Sequence, residues 1–140
     1  MSDLLASLPA EFRSVPYNGS AIPDGQHDLS GGANCQRYAY AVLAHFGRSL
    51  PPFRSSELWA DTGHTDLASD FEPLDLLLFA ERPEPFGAHV AVYAGGGMAL
   101  HLCRAVGVPA VWSLAAFASQ TRYAYLLGAK RVRAAPLGSS

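Results

Sequence analysis

Cysteine is nearly absent: Cys35 and Cys103 are the only two in a chain of 140 residues. Two thiols cannot build the disulfide framework of a small secreted domain, so the fold must rest on an apolar core. Charge is scarce as well. Only 16% of residues are charged and the formal net charge is -2, which excludes the basic footprint of a nucleic-acid binder and a polybasic membrane surface. The one basic cluster, Lys130-Arg131-Val132-Arg133, reads as a solvated strand end. No apolar run is long enough for a membrane span, and the start MSDLLASLPAEF has no basic region ahead of its short apolar stretch. No signal peptide is therefore expected. The chain reads as cytoplasmic, with secretion by another route as the alternative. CxxC and HExxH are missing too, as are internal repeats, low-complexity tracts and linkers.

What is present is apolar: 49% of residues are hydrophobic, enough for one core at this length. The expectation is a single domain over 1–140, with its core at about 15–133, a flexible tail at 134–140, and a monomeric state. A short helix is expected at 3–8. Residues 14–33 are rich in Gly, Pro, Asn, Asp and Ser and read as a long loop, the kind that is usually functional in a compact domain. At 35–46 the spacing of Tyr38, Val42 and Phe46, with Tyr40 and Leu43 alongside, predicts a helix capped by Asn34 and stopped by Gly47. A second short helix is expected at 55–61, capped by Ser55 or Ser56. Beyond it, apolar runs at 74–79, 89–94, 98–103 and 108–112 are broken by Gly and Pro as strands are. A small helix at 114–120 and a strand at 123–132 complete an α+β domain, a helix in front of an antiparallel sheet.

The helix start holds the chemistry. A thiol attacks as its thiolate, and a helix N-terminus or a nearby imidazolium lowers its pKa from about 8.5. Cys35 follows Gly31-Gly32 and falls in the first turn, where free N–H groups would also face a developing oxyanion. A small buried core residue is the competing reading of a free cysteine. Five histidines could supply a base. His27 and His64 lie in polar loops, and His45 is about 15 Å along the helix at 1.5 Å per residue. His89 and His101 interrupt the apolar strands AHVAVYA and MALHLC, joined through Gly95-Gly96-Gly97. A three-residue loop sets His101 opposite Ala91 and on the same sheet face as His89, with α-carbons about 7–8 Å apart. A two-residue loop sends the two rings to opposite faces. In the first register one ring takes the thiol proton while the other holds it in place. A zinc site of His89, His101 and Cys103 lacks a closely spaced fourth ligand, so neither a metal nor a cofactor is expected and Cys103 reads as core.

The segments GGANCQ, EPLDLLLF, HVAVYAGGGMALH and LLGAKRV, in that order and over about 15–132, resemble the NlpC-type, papain-like cysteine peptidases of cell-wall peptides. The resemblance implies Cys35 as nucleophile, His89 as base and His101 as the third polar residue. It implies a peptide or muropeptide substrate cut at a D-γ-glutamyl amide bond, with Tyr17, Asn34 and Gln36 at the substrate. Asn34-Cys35-Gln36 stands where the family usually reads Asp-Cys-Ser, so a carboxylate that would pair with a substrate amine is missing. Leu74 stands where the family has Gly. A thioester-forming acyl- or amidotransferase of the same fold, and a non-catalytic binding or immunity module, are the alternatives.

Overall fold

The computed structural model describes residues 4–24 and 28–133. The expected tail at 134–140 and His27 lie outside the described residues. Helix α1 (Leu4–Ser7) and a 3₁₀ turn (Ala10–Phe12) precede α2 (Cys35–His45) and α3 (Ser55–Ala60). Strands β1 (Thr65–Ala68), β2 (Leu76–Ala80), β3 (His89–Gly95), β4 (Met98–His101) and β5 (Ala110–Ser113) follow. Helix α4 (Leu114–Ala118), a 3₁₀ turn (Thr121–Tyr123) and β6 (Tyr125–Val132) close the chain. The described strands form one antiparallel sheet in the order β1-β6-β2-β3-β4-β5. The expected α+β class is the observed one. No helix among the described residues is long and apolar enough to cross a membrane.

Period-two alternation splits the sheet into two apolar layers. Leu76, Leu78, Val90, Val92 and Leu100 face α2, while Leu77, Phe79, Ala91, Ala99 and Ala129 face Phe117 of α4. Helix α2 is buried nearly all round, from Gln36 through Leu43 apart from Arg37. The spacing of Tyr38, Val42 and Phe46 describes one apolar face, whereas Phe12, Val15 and Leu29 from the segment ahead of the helix join the same buried cluster as α2. The two phenols this buries are satisfied, Tyr38 donating to the Phe12 carbonyl at 2.7 Å and Tyr40 to that of Phe53 at 2.9 Å. Phe46 does not belong to the stripe. It lies past the last helical turn and is exposed.

Other expectations are corrected. Neither Ser55 nor Ser56 caps α3; Arg54 holds the cap position and the Glu57 carboxylate accepts from its N–H at 2.8 Å. The basic cluster is no solvated strand end. Lys130 is buried, its ammonium donating to the carbonyls of Trp59 and Asp61. Arg131 makes a two-pronged contact to the fully buried Asp75 at 2.8 and 2.9 Å, and Arg133 pairs with Asp66. Edge strand β1 carries no apolar alternation and was not expected. Leu74, at the position where the resemblance calls for Gly, keeps a backbone suited to Gly, with φ of 78°.

Candidate active site

Asn34 begins the site. Its backbone is extended and its side-chain oxygen accepts from the Arg37 N–H at 2.8 Å, so Cys35 is the first residue of α2. Gly32 has a positive φ of 84°, and a Cβ there would lie 2.7 Å from the Pro16 carbonyl oxygen. This glycine therefore serves docking of the upstream loop, whereas only Gly31 leaves open space. The docked loop pairs Tyr17 with Ala33 in a parallel bridge. Arg37 holds the next stretch through the carbonyls of Asp28 and Ile22 and the carboxylate of Asp24. Tyr17, eighteen residues upstream, is in this way carried to the cavity wall beside Cys35.

The two strand histidines meet. His89 Nε2 and His101 Nδ1 are 2.9 Å apart, with ring centroids 5.1 Å apart and planes nearly perpendicular. The β3–β4 register pairs Val92 with Leu100 and Tyr93 with Ala99, which leads to the same-face arrangement. The turn itself differs from the three-residue loop expected. Gly95 pairs with Met98 across Gly96-Gly97, and a bulge between Tyr93 and Gly95 restores the phase.

An aromatic box surrounds the pair. Tyr123 stacks on His89 at 4.5 Å; Trp112 and Phe117 lie 4.3 and 4.6 Å from the His101 ring. His101 Nε2 is buried with no hydrogen-bond partner. Burial, with the neighbouring His101 adding to it, pushes the His89 pKa down to about 3, and burial pushes that of His101 down to about 4. Both rings are neutral at physiological pH.

Cys35 and His89 line one cavity of about 510 Å³, together with Tyr17, Phe86, Arg122 and Tyr123. Cys35 keeps some exposed surface. Burial nonetheless pushes its thiol pKa up, the N–H groups of Val90, Gln36 and Cys35 itself pulling the other way. The expectation of a thiol ionised by the helix start is thus overturned: desolvation outweighs the dipole. Contact with the Val90 N–H also shows how a helix on one side of the sheet reaches rings on the other. The sulfur meets β3 at its very beginning, where His89 is the first residue. Cys103 is buried, and among the described residues no group of His, Cys, Asp or Glu side chains is arranged to hold a metal ion.

A second cavity of about 340 Å³ also reaches Cys35; it shares Tyr17, Phe86, Gly87 and Ala88 with the first and adds Asn34, Gln36 and Arg54. Gln36 is 3% exposed and its Oε1 accepts from Arg54 Nε at 3.2 Å. Tyr123, Phe117 and Arg54 were not singled out from sequence as site residues. Aromatic residues near a strand end look like ordinary core, and nothing in the spacing ties Arg54 to Gln36.

Solved structures of the NlpC/P60 type share this arrangement of helix and sheet. The NlpC/P60 domain of the peptidoglycan hydrolase SagA matches with a TM-score of 0.58 and 21% identity, over 95% of this chain and 98% of that one. An NlpC/P60 family protein from Bacillus cereus gives a TM-score of 0.64 and 20% identity over 97% of this chain. The peptidoglycan hydrolase RipB from Mycobacterium tuberculosis gives 0.54 and 18% over 94% of this chain and 72% of its own. The chain spans 41% of the Bacillus cereus protein's length. No protein-family model and no curated protein sequence matches the chain. The fold is that of the NlpC/P60 structures.

Proposed function

We propose that the protein is a cysteine amide hydrolase acting on a peptidoglycan-type peptide, with a D-γ-glutamyl amide as the bond cut. The observation that carries this reading is the meeting of Cys35 and His89 at one cavity, with His101 bonded to Nε2 of His89. Peptidoglycan hydrolases among the proteins of like fold supply the substrate class.

The chemistry starts from a neutral pair. His101 Nε2 is buried with no hydrogen-bond partner in a ring packed against Trp112 and Phe117, and a π system can accept an N–H but offers nothing to a lone pair. The proton of His101 therefore sits on Nε2, its Nδ1 accepts, and His89 donates from Nε2. His89 Nδ1 is left bare for the thiol proton. As Sγ of Cys35 bonds to the substrate carbonyl carbon, Nδ1 takes that proton, and the carbonyl oxygen gains charge facing the backbone N–H groups at the start of α2. The imidazolium, stacked on Tyr123, gives the proton to the leaving nitrogen as the C–N bond breaks. Water, deprotonated by His89, then releases the acid from the thioester and restores the thiol.

The test is hydrolysis of muropeptides by wild type and Cys35→Ala. Activity in the wild type alone, with an acyl-enzyme released by water, is expected. Equal rates in both overturn the reading, and release by an added amine in preference to water makes the protein a transferase.

A further inference from the structure

Phe86 is the most exposed large apolar side chain among the described residues, at 81%, and it belongs to neither apolar layer of the sheet. A tight turn fixes its place. The Ala88 N–H donates to the Pro85 carbonyl at 3.1 Å, and Gly87 holds the third position with φ of 72°, as Gly does in a type II turn. Just before it the Glu84 N–H donates to the Arg82 carbonyl at 2.7 Å, and Pro83 and Pro85 restrict the chain between. Corners of this kind ordinarily carry Gly, Pro or a small polar residue. A phenylalanine there, three residues ahead of His89, gives the free fold almost no burial.

Its surroundings point to what covers it. The two cavities that meet at Cys35 share a wall of Tyr17, Phe86, Gly87 and Ala88, on which only the first two side chains are larger than a methyl group. Tyr17 is anchored: its N–H donates to the Gly107 carbonyl at 2.9 Å, and the Arg104 guanidinium lies 5.6 Å from its ring centroid. A chain whose carbonyl carbon reaches the sulfur sends one arm into each cavity, so the atoms beside the scissile bond pass along this wall. We propose that Phe86 is a substrate-clamping residue: its ring packs on the aliphatic carbons that flank the scissile amide and, with Tyr17, holds the chain across Cys35. The turn presents the ring ready-made, so little ordering is left to be done on binding. The identity of that chain as a muropeptide rests on the proposed hydrolase reading; the contact itself does not.

Phe86→Ala is expected to raise KM for a muropeptide roughly ten- to hundredfold, the scale of burying one phenylalanine side chain, with the loss in KM rather than in kcat. Phe86→Leu should recover part of it. The denaturant midpoint of Phe86→Ala should match that of wild type; a lowered midpoint makes the residue structural and overturns the inference. An unchanged KM with hydrolysis intact also overturns it, and leaves the hydrolase reading standing. Should wild type cleave no muropeptide, the hydrolase reading is what fails, and thiol labelling decides the clamp. Alkylation of Cys35 by iodoacetamide and by N-benzyl iodoacetamide is then compared by peptide mapping, each rate taken relative to glutathione. Wild type is expected to favour the benzyl reagent by roughly tenfold, and Phe86→Ala to lose that preference. No preference in wild type, or one kept in Phe86→Ala, overturns it.

Discussion

At the scale of single residues, the site depends on where protons sit. His101 is a positioning residue: it reaches the thiol only through His89. Replacing it with Leu removes the acceptor for His89 Nε2 and is expected to lower kcat by roughly 10²-fold, with KM little changed. His101→Asn, which restores an acceptor oxygen, should recover part of that loss, and steady-state kinetics on a muropeptide would show it. The imidazole ¹⁵N shifts supply an independent check: His101 should be protonated on Nε2 and His89 bare on Nδ1, and Trp112→Leu should blur that preference. The raised thiol pKa has its own consequence. Alkylation of Cys35 in the free protein near neutral pH should be slower than that of an exposed thiol and should climb through the alkaline range, followed by mass spectrometry. Fast, pH-independent labelling between pH 5 and 7 would contradict a neutral resting pair. The roles of Cys35, His89 and His101 are readable in sequence because strand histidines and a cysteine at a helix start are each unusual. The sign of the thiol shift is not readable, because burial depends on the Val90 N–H and the surrounding atoms, which spacing does not reveal.

At the scale of elements, two backbone positions carry testable strain. Gly32→Ala puts a methyl 2.7 Å from the Pro16 oxygen and forces φ of 84° on alanine. A loss of roughly 1–3 kcal/mol is expected from denaturant unfolding, with activity falling as Tyr17 leaves the cavity wall. Leu74 is the opposite case. A left-handed backbone costs a leucine roughly 1–2 kcal/mol, and its partly buried side chain repays some of this by packing on the helix-side core. Leu74→Gly should therefore change stability by less than about 1 kcal/mol, well below the roughly 2–5 kcal/mol of an ordinary core Leu→Ala. The helix over 35–46 was legible because cap, stop and periodicity agree, and its near-complete burial was not, since the covering loop has no periodicity of its own. Strand β1 escaped notice because an edge strand with one exposed leucine carries no alternating pattern.

For the whole molecule, the paired histidines couple stability to pH. Unfolded, each imidazole titrates near 6.5; folded, His89 does so near 3 and His101 near 4. Between these values the unfolded chain holds more protons. Stability from this source is intact above about 6.5 and drains as the pH falls toward 4 and 3. Thermal melts from pH 7 to 4 should show a falling Tm, and a His89→Gln/His101→Gln double variant should show a shallower fall. The Asp75–Arg131 contact works at the same scale, tying the start of β2 to β6. Sequence composition made Arg131 look like surface charge. Only the strand order, which sets β6 beside β2, shows that a fully buried carboxylate awaits it.

The link between β3 and β4 holds one residue in reserve. Gly95 faces Met98 across two glycines while Tyr93 still faces Ala99, so Ala94 is surplus to the ladder. Removing a single glycine lets Ala94 take the place opposite Met98 and leaves Tyr93 with Ala99 and Val92 with Leu100. The second imidazole then still emerges beside the first, and the kink, not the couple, is what a shortened loop gives up.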